Sequence, residues 1–277
     1  MNDFIKSHGL GNDYIVLDSK KINFKLTKKN ITKICHRNYG VGSDGILLLV
    51  ESKKANFGLR IFNPDGSEAE KSGNGLRIFS KFLYDYKYTK NKKFTIETKG
   101  GLVESEVILK DNKAGVVKVA MGKATFDSSK IPAKTKKKYL IEEEIKVKDQ
   151  TFIFTSVSVG NPHCVIFLNK ISNNYPIKYG EAIEKHGLFP KKTNVQFAKV
   201  LSKNKVRIEI WERGAGYTLA SGSSSCAVVS AGFKLGLLGN KVKVLMPGGS
   251  LSIEIDKDYN ITMKGPVEQI CSGKLIF

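Results

Sequence analysis

Two stretches of this chain, 149 residues apart, carry the same landmarks, and that interval limits the possible folds more than any single motif. Gly11 opens GNDYIVLD and Gly160 opens GNPHCVIFL, each a Gly-Asn pair leading into an apolar, strand-like run. Ser72-Gly73 returns as Ser221-Gly222 at the same interval, and Gly100-Gly101 returns as Gly248-Gly249 at 148. Three landmarks in one order at nearly one spacing mark two copies of one unit. The copies are residues 1–125 and 126–265. The segment 266–277 is expected as a strand that joins one of the lobes, the N-terminal lobe being the first choice.

Each copy reads as strands, one helix, then more strands. In the first, Leu59–Phe62 is a strand, NPDGSE is turn chemistry, and Leu76–Tyr86 is a helix with Ile78, Phe79, Phe82 and Leu83 at helical spacing. In the second, Val206–Trp211 is a strand, ERGAG a turn and Ser224–Leu237 a helix. The expected fold class is α+β: two pseudo-symmetric lobes, each a mixed or antiparallel β-structure around a central helix. A ligand cleft between the lobes is expected.

Composition removes several function classes. No apolar run approaches the roughly 20 residues of a membrane span. The opening MNDFIKSHGLGND lacks the basic start and apolar centre of a secretory signal, so a cytoplasmic, soluble protein is expected. Cys35, Cys164, Cys226 and Cys271 stand at no metal-ligand spacing and are expected to be reduced and buried. The formal charge of +20 would suit a nucleic-acid partner, but the lysines are scattered. Their densest run, Lys134–Lys138, has no interleaved aromatics, so neither a nucleic-acid nor a membrane partner is expected.

Ser72 and Ser221 each stand at the mouth of a helix with glycine next in line. Serine in that place is most often only a cap. Two such serines at matched repeat positions point further. A helix N-terminus has unpaired N–H groups and partial positive charge, which suits a small carboxylate. Two such ends turned on one ligand would place a side chain on either side of it. That geometry takes a proton from one face of a carbon and returns one to the other.

At these residues the chain resembles the diaminopimelate epimerase family. The likeness runs through KSHGLGNDYIVLD, RIFNPDGSEAEKSGNG, SVGNPHCVIF, TNVQF, ERGAGYTLASGS and MPGGSLSIE. It implies a two-lobed amino-acid epimerase of lysine biosynthesis that needs no cofactor or metal and forms homodimers. It places the substrate's α-carboxylate on the N–H groups of Gly73, Asn74, Gly222 and Ser223. It places the other polar end on Asn12, Asn63, Asn161, Asn194, Glu212 and Arg213, with His163 and Glu212 beside the acid–base pair. Apart from the resemblance, an Arg beside a Glu after a strand suits recognition of a zwitterion.

The departures are specific. The family's two catalytic bases are cysteines, and here both positions are serine, Ser72 and Ser221. Tyr217 stands where glutamate is usual, and Gly45 where a polar side chain is usual. Cys226, five residues beyond Ser221, is not a substitute base. An alcohol yields its anion at a cost on the order of 7 kcal/mol above a thiol, taking a gap of about five units. Three activities therefore fit: an epimerase acting on diaminopimelate or a related amino acid, a related isomerase or lyase, and an amino-acid-binding protein without chemistry. Retention of Asn63, Asn161, Asn194, Glu212 and Arg213 favours the first.

Overall fold

The computed structural model describes residues 1–276; Phe277, the last residue of the expected 266–277 strand segment, lies outside them. The chain forms two compact units, Met1–Ala120 together with the segment from Lys264, and Met121–Met263. These divisions fall inside the strands Lys113–Lys123 and Asn260–Pro266 rather than at 125/126 and 265/266. No turn residues mark a division that falls within a strand. Among the described residues, no helix is long and apolar enough to cross a membrane.

The first unit opens with the strands Asp3–Gly9 and Asn12–Asp18. Leu10 and Gly11 both have positive φ, 58° and 87°, and join them in a two-residue turn closed by Gly9 opposite Asn12. Such turns match the natural twist of a hairpin, and they fix the residue that follows. Asn12–Asp18 then pairs in parallel with Ile46–Val50, which runs antiparallel to Phe57–Phe62. The strand Glu268–Lys274 lies antiparallel to Asp3–Gly9, placing the last described strand in the first unit. Helix α1 is Lys28–Cys35, capped by Thr27, and was not expected. Helix α2 is Gly73–Asp85. Ile15, Leu17, Ile31, Ile34, Ile46, Leu48 and Phe62 form the core beneath α1. Each such side chain contributes about 1.5–3 kcal/mol when removed from water.

In the second unit, Gln150–Ser158 and Pro162–Phe167 form a hairpin. Pro162–Phe167 pairs in parallel with Asn194–Ser202, which runs antiparallel to Lys205–Glu212. Helix α3 is the short Glu181–Glu184, entered through a wider turn at Pro176–Gly180, and α4 is Gly222–Lys234. Phe152, Phe154, Tyr179, Ile183, Phe189 and Phe197 dominate this core, with Phe152 edge-on to Phe197 at 5.7 Å. Gly180 is required here, because a Cβ would stand 2.5 Å from the Trp211 indole.

The repeat survives in three dimensions. Helices α2 and α4 have 13 residues each and begin and end at the 149-residue interval. The parallel strand pairs match as well, with Ile15 opposite Ile46 and Cys164 opposite Val195. Both central helices are buried along most of their length, so their polar residues need internal partners. In α2, Ser80 Oγ donates to the Leu76 carbonyl at 2.7 Å and Lys81 Nζ to Asp85 at 2.7 Å. In α4, Ser225 and Ser230 donate to the carbonyls four residues back. Cys35, Cys164 and Cys226 are buried as expected, whereas Cys271 is exposed on its strand.

Candidate active site

Each central helix is capped by its serine. Ser72 and Ser221 have extended backbones, with φ of −137° and −145°. Ser72 Oγ accepts the Gly75 N–H at 3.0 Å, and Ser221 Oγ accepts that of Ser224 at 3.4 Å. The next two N–H groups in each case, those of Gly73 and Asn74 and of Gly222 and Ser223, precede the first intrahelical bond. Neither first turn has an acidic residue, so the helix itself supplies no counter-charge to its positive end. A carboxylate fits that description.

The two hydroxyls differ in their neighbours. Ser221 is buried, and its Oγ donates to Glu212 Oε2 at 2.9 Å. Ser72 is half-buried, and its Oγ lies 3.1 Å from the Tyr14 phenolic oxygen. Glu212 ends the strand Lys205–Glu212, and Gly216 pairs with it across the ERGAG turn. That turn is held from below by buried Glu184, which accepts from the Gly214 N–H at 3.1 Å and from Trp211 Nε1 at 2.7 Å.

His163 is wholly buried, and Asn161 and Gln196 take its two ring nitrogens. The Asn161 Oδ1 accepts from Nε2 at 3.0 Å, since an amide oxygen only accepts. Nδ1 therefore accepts from Gln196 Nε2 at 3.0 Å, and the same amide donates to Ser224 Oγ at 3.0 Å. Gln196 Oε1 has no hydrogen-bond partner among the described residues. Turning the amide over would set that oxygen against an unprotonated Nδ1, which is worse. Burial drives the imidazole down to about 3, and the Arg213 charge adds to it.

This depression has a measurable sign. The unfolded chain binds a proton at His163 near pH 6.5, and the folded protein binds none until about pH 3. The contribution to stability is complete above 6.5 and is lost as pH falls toward 3. Its steepest slope is about 1.4 kcal/mol per pH unit. In urea titrations at pH 7, 5.5 and 4.5, His163→Gln is expected to flatten the loss of stability by up to that slope. Equal slopes for both proteins would contradict the assignment.

The asparagines tie loops together. Asn12 Nδ2 donates to Asp44 at 2.8 Å, and Asn12 Oδ1 accepts from Asn74 Nδ2 at 3.0 Å. Asn74 Oδ1 accepts in turn from fully buried Arg77 at 2.8 Å. This chain joins the first hairpin to the first turn of α2. Asn63 Nδ2 donates to Ser67 Oγ at 2.9 Å within its turn. Asn194 Oδ1 accepts the Arg213 N–H at 3.0 Å, and its Nδ2 donates to the Pro162 carbonyl at 2.9 Å. Arg213 is exposed.

The family model described as diaminopimelate epimerase matches residues 4–127 and 155–270. The chain belongs to the diaminopimelate epimerase family. A relative named diaminopimelate epimerase 2, from Nostoc sp., is 52% identical over 98% of this chain and 95% of its own length. A diaminopimelate epimerase from Methanococcus maripaludis is 42% identical over 98% of this chain and 99% of its own. Among solved structures, a hydroxyproline epimerase from Agrobacterium vitis with bound trans-4-OH-L-proline shares the fold. Its TM-score is 0.73 at 12% identity, covering 99% of this chain and 92% of that one. A PhzF-family phenazine biosynthesis protein from Bacillus anthracis also shares it, with TM-score 0.71 at 14% identity and 99% of both chains covered.

Against this family background the positions read as unusual have structural partners. Tyr217 donates to Glu209 at 2.9 Å; burial first, then that bond, pushes its phenol up to about 12. Gly45 has no room for a side chain, since a Cβ would stand 2.4 Å from the Phe62 carbonyl oxygen. In the first unit the structure brings Asn12, Asn74 and Ser72 around the start of α2. In the second it brings His163 with Asn161, Glu212 with Ser221, and Asn194 with Arg213. Sequence reasoning missed Tyr14, Gln196 and Glu184. The repeat could have found Tyr14, which stands at the 149-residue interval from His163.

Proposed function

We propose that this protein is a cofactor-independent epimerase that inverts an α-carbon of diaminopimelate, with Ser72 and Ser221 as its two acid–base groups. The observation that carries the reading is the Ser221 hydroxyl, donating to the Glu212 carboxylate at 2.9 Å while capping a helix whose first N–H groups suit an anion. Glu212 takes the hydroxyl proton as Ser221 Oγ takes the one on Cα, so no free alkoxide is needed. Gly73, Asn74, Gly222 and Ser223 hold the α-carboxylate through their N–H groups, which lowers the cost of the carbanion that forms. His163 stays neutral and fixes Asn161, and Asn12, Asn63, Asn194 and Arg213 shape the loops that meet the substrate's distal end. The same reading makes it a cytoplasmic homodimer serving lysine biosynthesis.

The relatives' names favour diaminopimelate as substrate. In heavy water, the expected result is deuterium at Cα of both LL- and meso-diaminopimelate, with interconversion of the two, read by mass spectrometry and NMR. Binding without exchange would leave an amino-acid-binding protein instead. Loss of water or release of a keto acid would indicate a lyase.

A further inference from the structure

Ser221 has a carboxylate at hydrogen-bond distance, whereas Ser72 has a phenol. The repeat explains how the phenol comes to be there. Tyr14 and His163 hold the same place in the two copies, and so do Gly45 and Asn194. The parallel strand registers agree with that equivalence. In the second unit position 194 carries an amide that ties two loops. In the first, the equivalent residue is Gly45, and a Cβ on it would stand 2.9 Å from Tyr14 Cε1. The missing side chain leaves room for the Tyr14 ring, whose hydroxyl reaches Ser72 Oγ at 3.1 Å. Tyr14 is buried on a central strand, so its position is fixed by packing.

We infer that Tyr14 is the proton-relay residue of Ser72, acting through that serine as Glu212 acts through Ser221. The inference rests on the epimerase reading above. When Ser72 serves as the acid, its O–H bond breaks and the proton joins the electron pair on Cα. The Tyr14 proton then passes to Ser72 Oγ, leaving a phenolate. In the reverse direction the phenolate takes the Ser72 proton as Oγ takes the one on Cα, and the C–H electron pair remains on the substrate. A phenol oxygen holds negative charge far better than an alcohol oxygen, so the charge rests on Tyr14 rather than on an alkoxide.

Tyr14→Phe tests this directly, because it keeps the ring beside Gly45 and removes only the hydroxyl. Exchange of the diaminopimelate α-proton is expected to fall about 10²-fold, with the pH–rate profile altered on its alkaline side. Substrate affinity by calorimetry is expected to stay within about threefold. In a Ser72→Cys background the same change is expected to cost less than about threefold, since a thiol forms its anion without the phenol. A variant with the original rate and pH profile overturns the inference and leaves the epimerase reading standing. So does an equal loss in both backgrounds. An unmodified protein that exchanges no α-proton overturns both.

Discussion

Exchanging both hydroxyls for thiols, in Ser72→Cys with Ser221→Cys, is expected to raise α-proton exchange of diaminopimelate between about 10²- and 10⁵-fold. The upper bound follows from the acidity gap of about five units between alcohol and thiol, carried in full into the rate. The lower bound allows for the weaker basicity of a thiolate once formed, and for the help that Glu212 already gives Ser221. Both positions are helix caps, and a cysteine retains the extended backbone but caps more weakly than serine. A modest loss of stability should accompany the gain. Deuterium exchange of the folded double variant is the measurement. An intact fold with no increase would mean that base strength does not limit this site, and the two-base reading would fail with it.

Glu212→Gln is expected to lower exchange by about 10²- to 10⁴-fold, mainly through kcat. Glutamine keeps the shape of the side chain and still accepts the Ser221 hydroxyl bond, but its amide takes no proton. The comparison therefore separates proton transfer from placement of Ser221. A change below about threefold would show that Ser221 works without Glu212, and a loss confined to KM would assign Glu212 to binding alone.

The large-scale plan was legible in the sequence because duplication writes the same residues twice. The Ser-Gly pairs at 72 and 221 located the starts of both central helices within a residue, and the second glycine of each glycine pair opens a strand, Gly101–Lys110 and Gly249–Ile255. The helices began earlier than their apolar spacing suggested, because Gly73, Asn74 and Gly75 are poor helix formers whose first turn is fixed by the cap. Helix α1 was missed for a related reason. KKNITKIC mixes asparagine with β-branched residues, and only Ile31, Ile34 and Cys35 packing into the core give it a reason to coil.

Around the candidate site, residue types were legible and partners were not. Asn194 as a single letter is equally a substrate ligand or a brace, and only the fold shows both halves of its amide on backbone groups. His163 suggested a group able to take part in proton transfer, yet complete burial keeps it neutral. Tyr14 reads as one more apolar residue of a strand. Its contact with Ser72 spans 58 positions, a distance that no local pattern reports.

The pairing of Glu268–Lys274 with Asp3–Gly9 bears on how the polypeptide matures. Residues 121–263 are one uninterrupted stretch, all of it available for folding once the ribosome has passed it. The unit that holds Tyr14 and Ser72 must instead wait for the strand Glu268–Lys274, closing a loop of most of residues 1–277 at an entropic cost. A nascent product halted before Glu268 would leave the opening strand bare along one side, a template for aggregation. Completion of that half thus lags behind Met121–Met263, and chaperone demand should fall on the N-terminal portion during that interval.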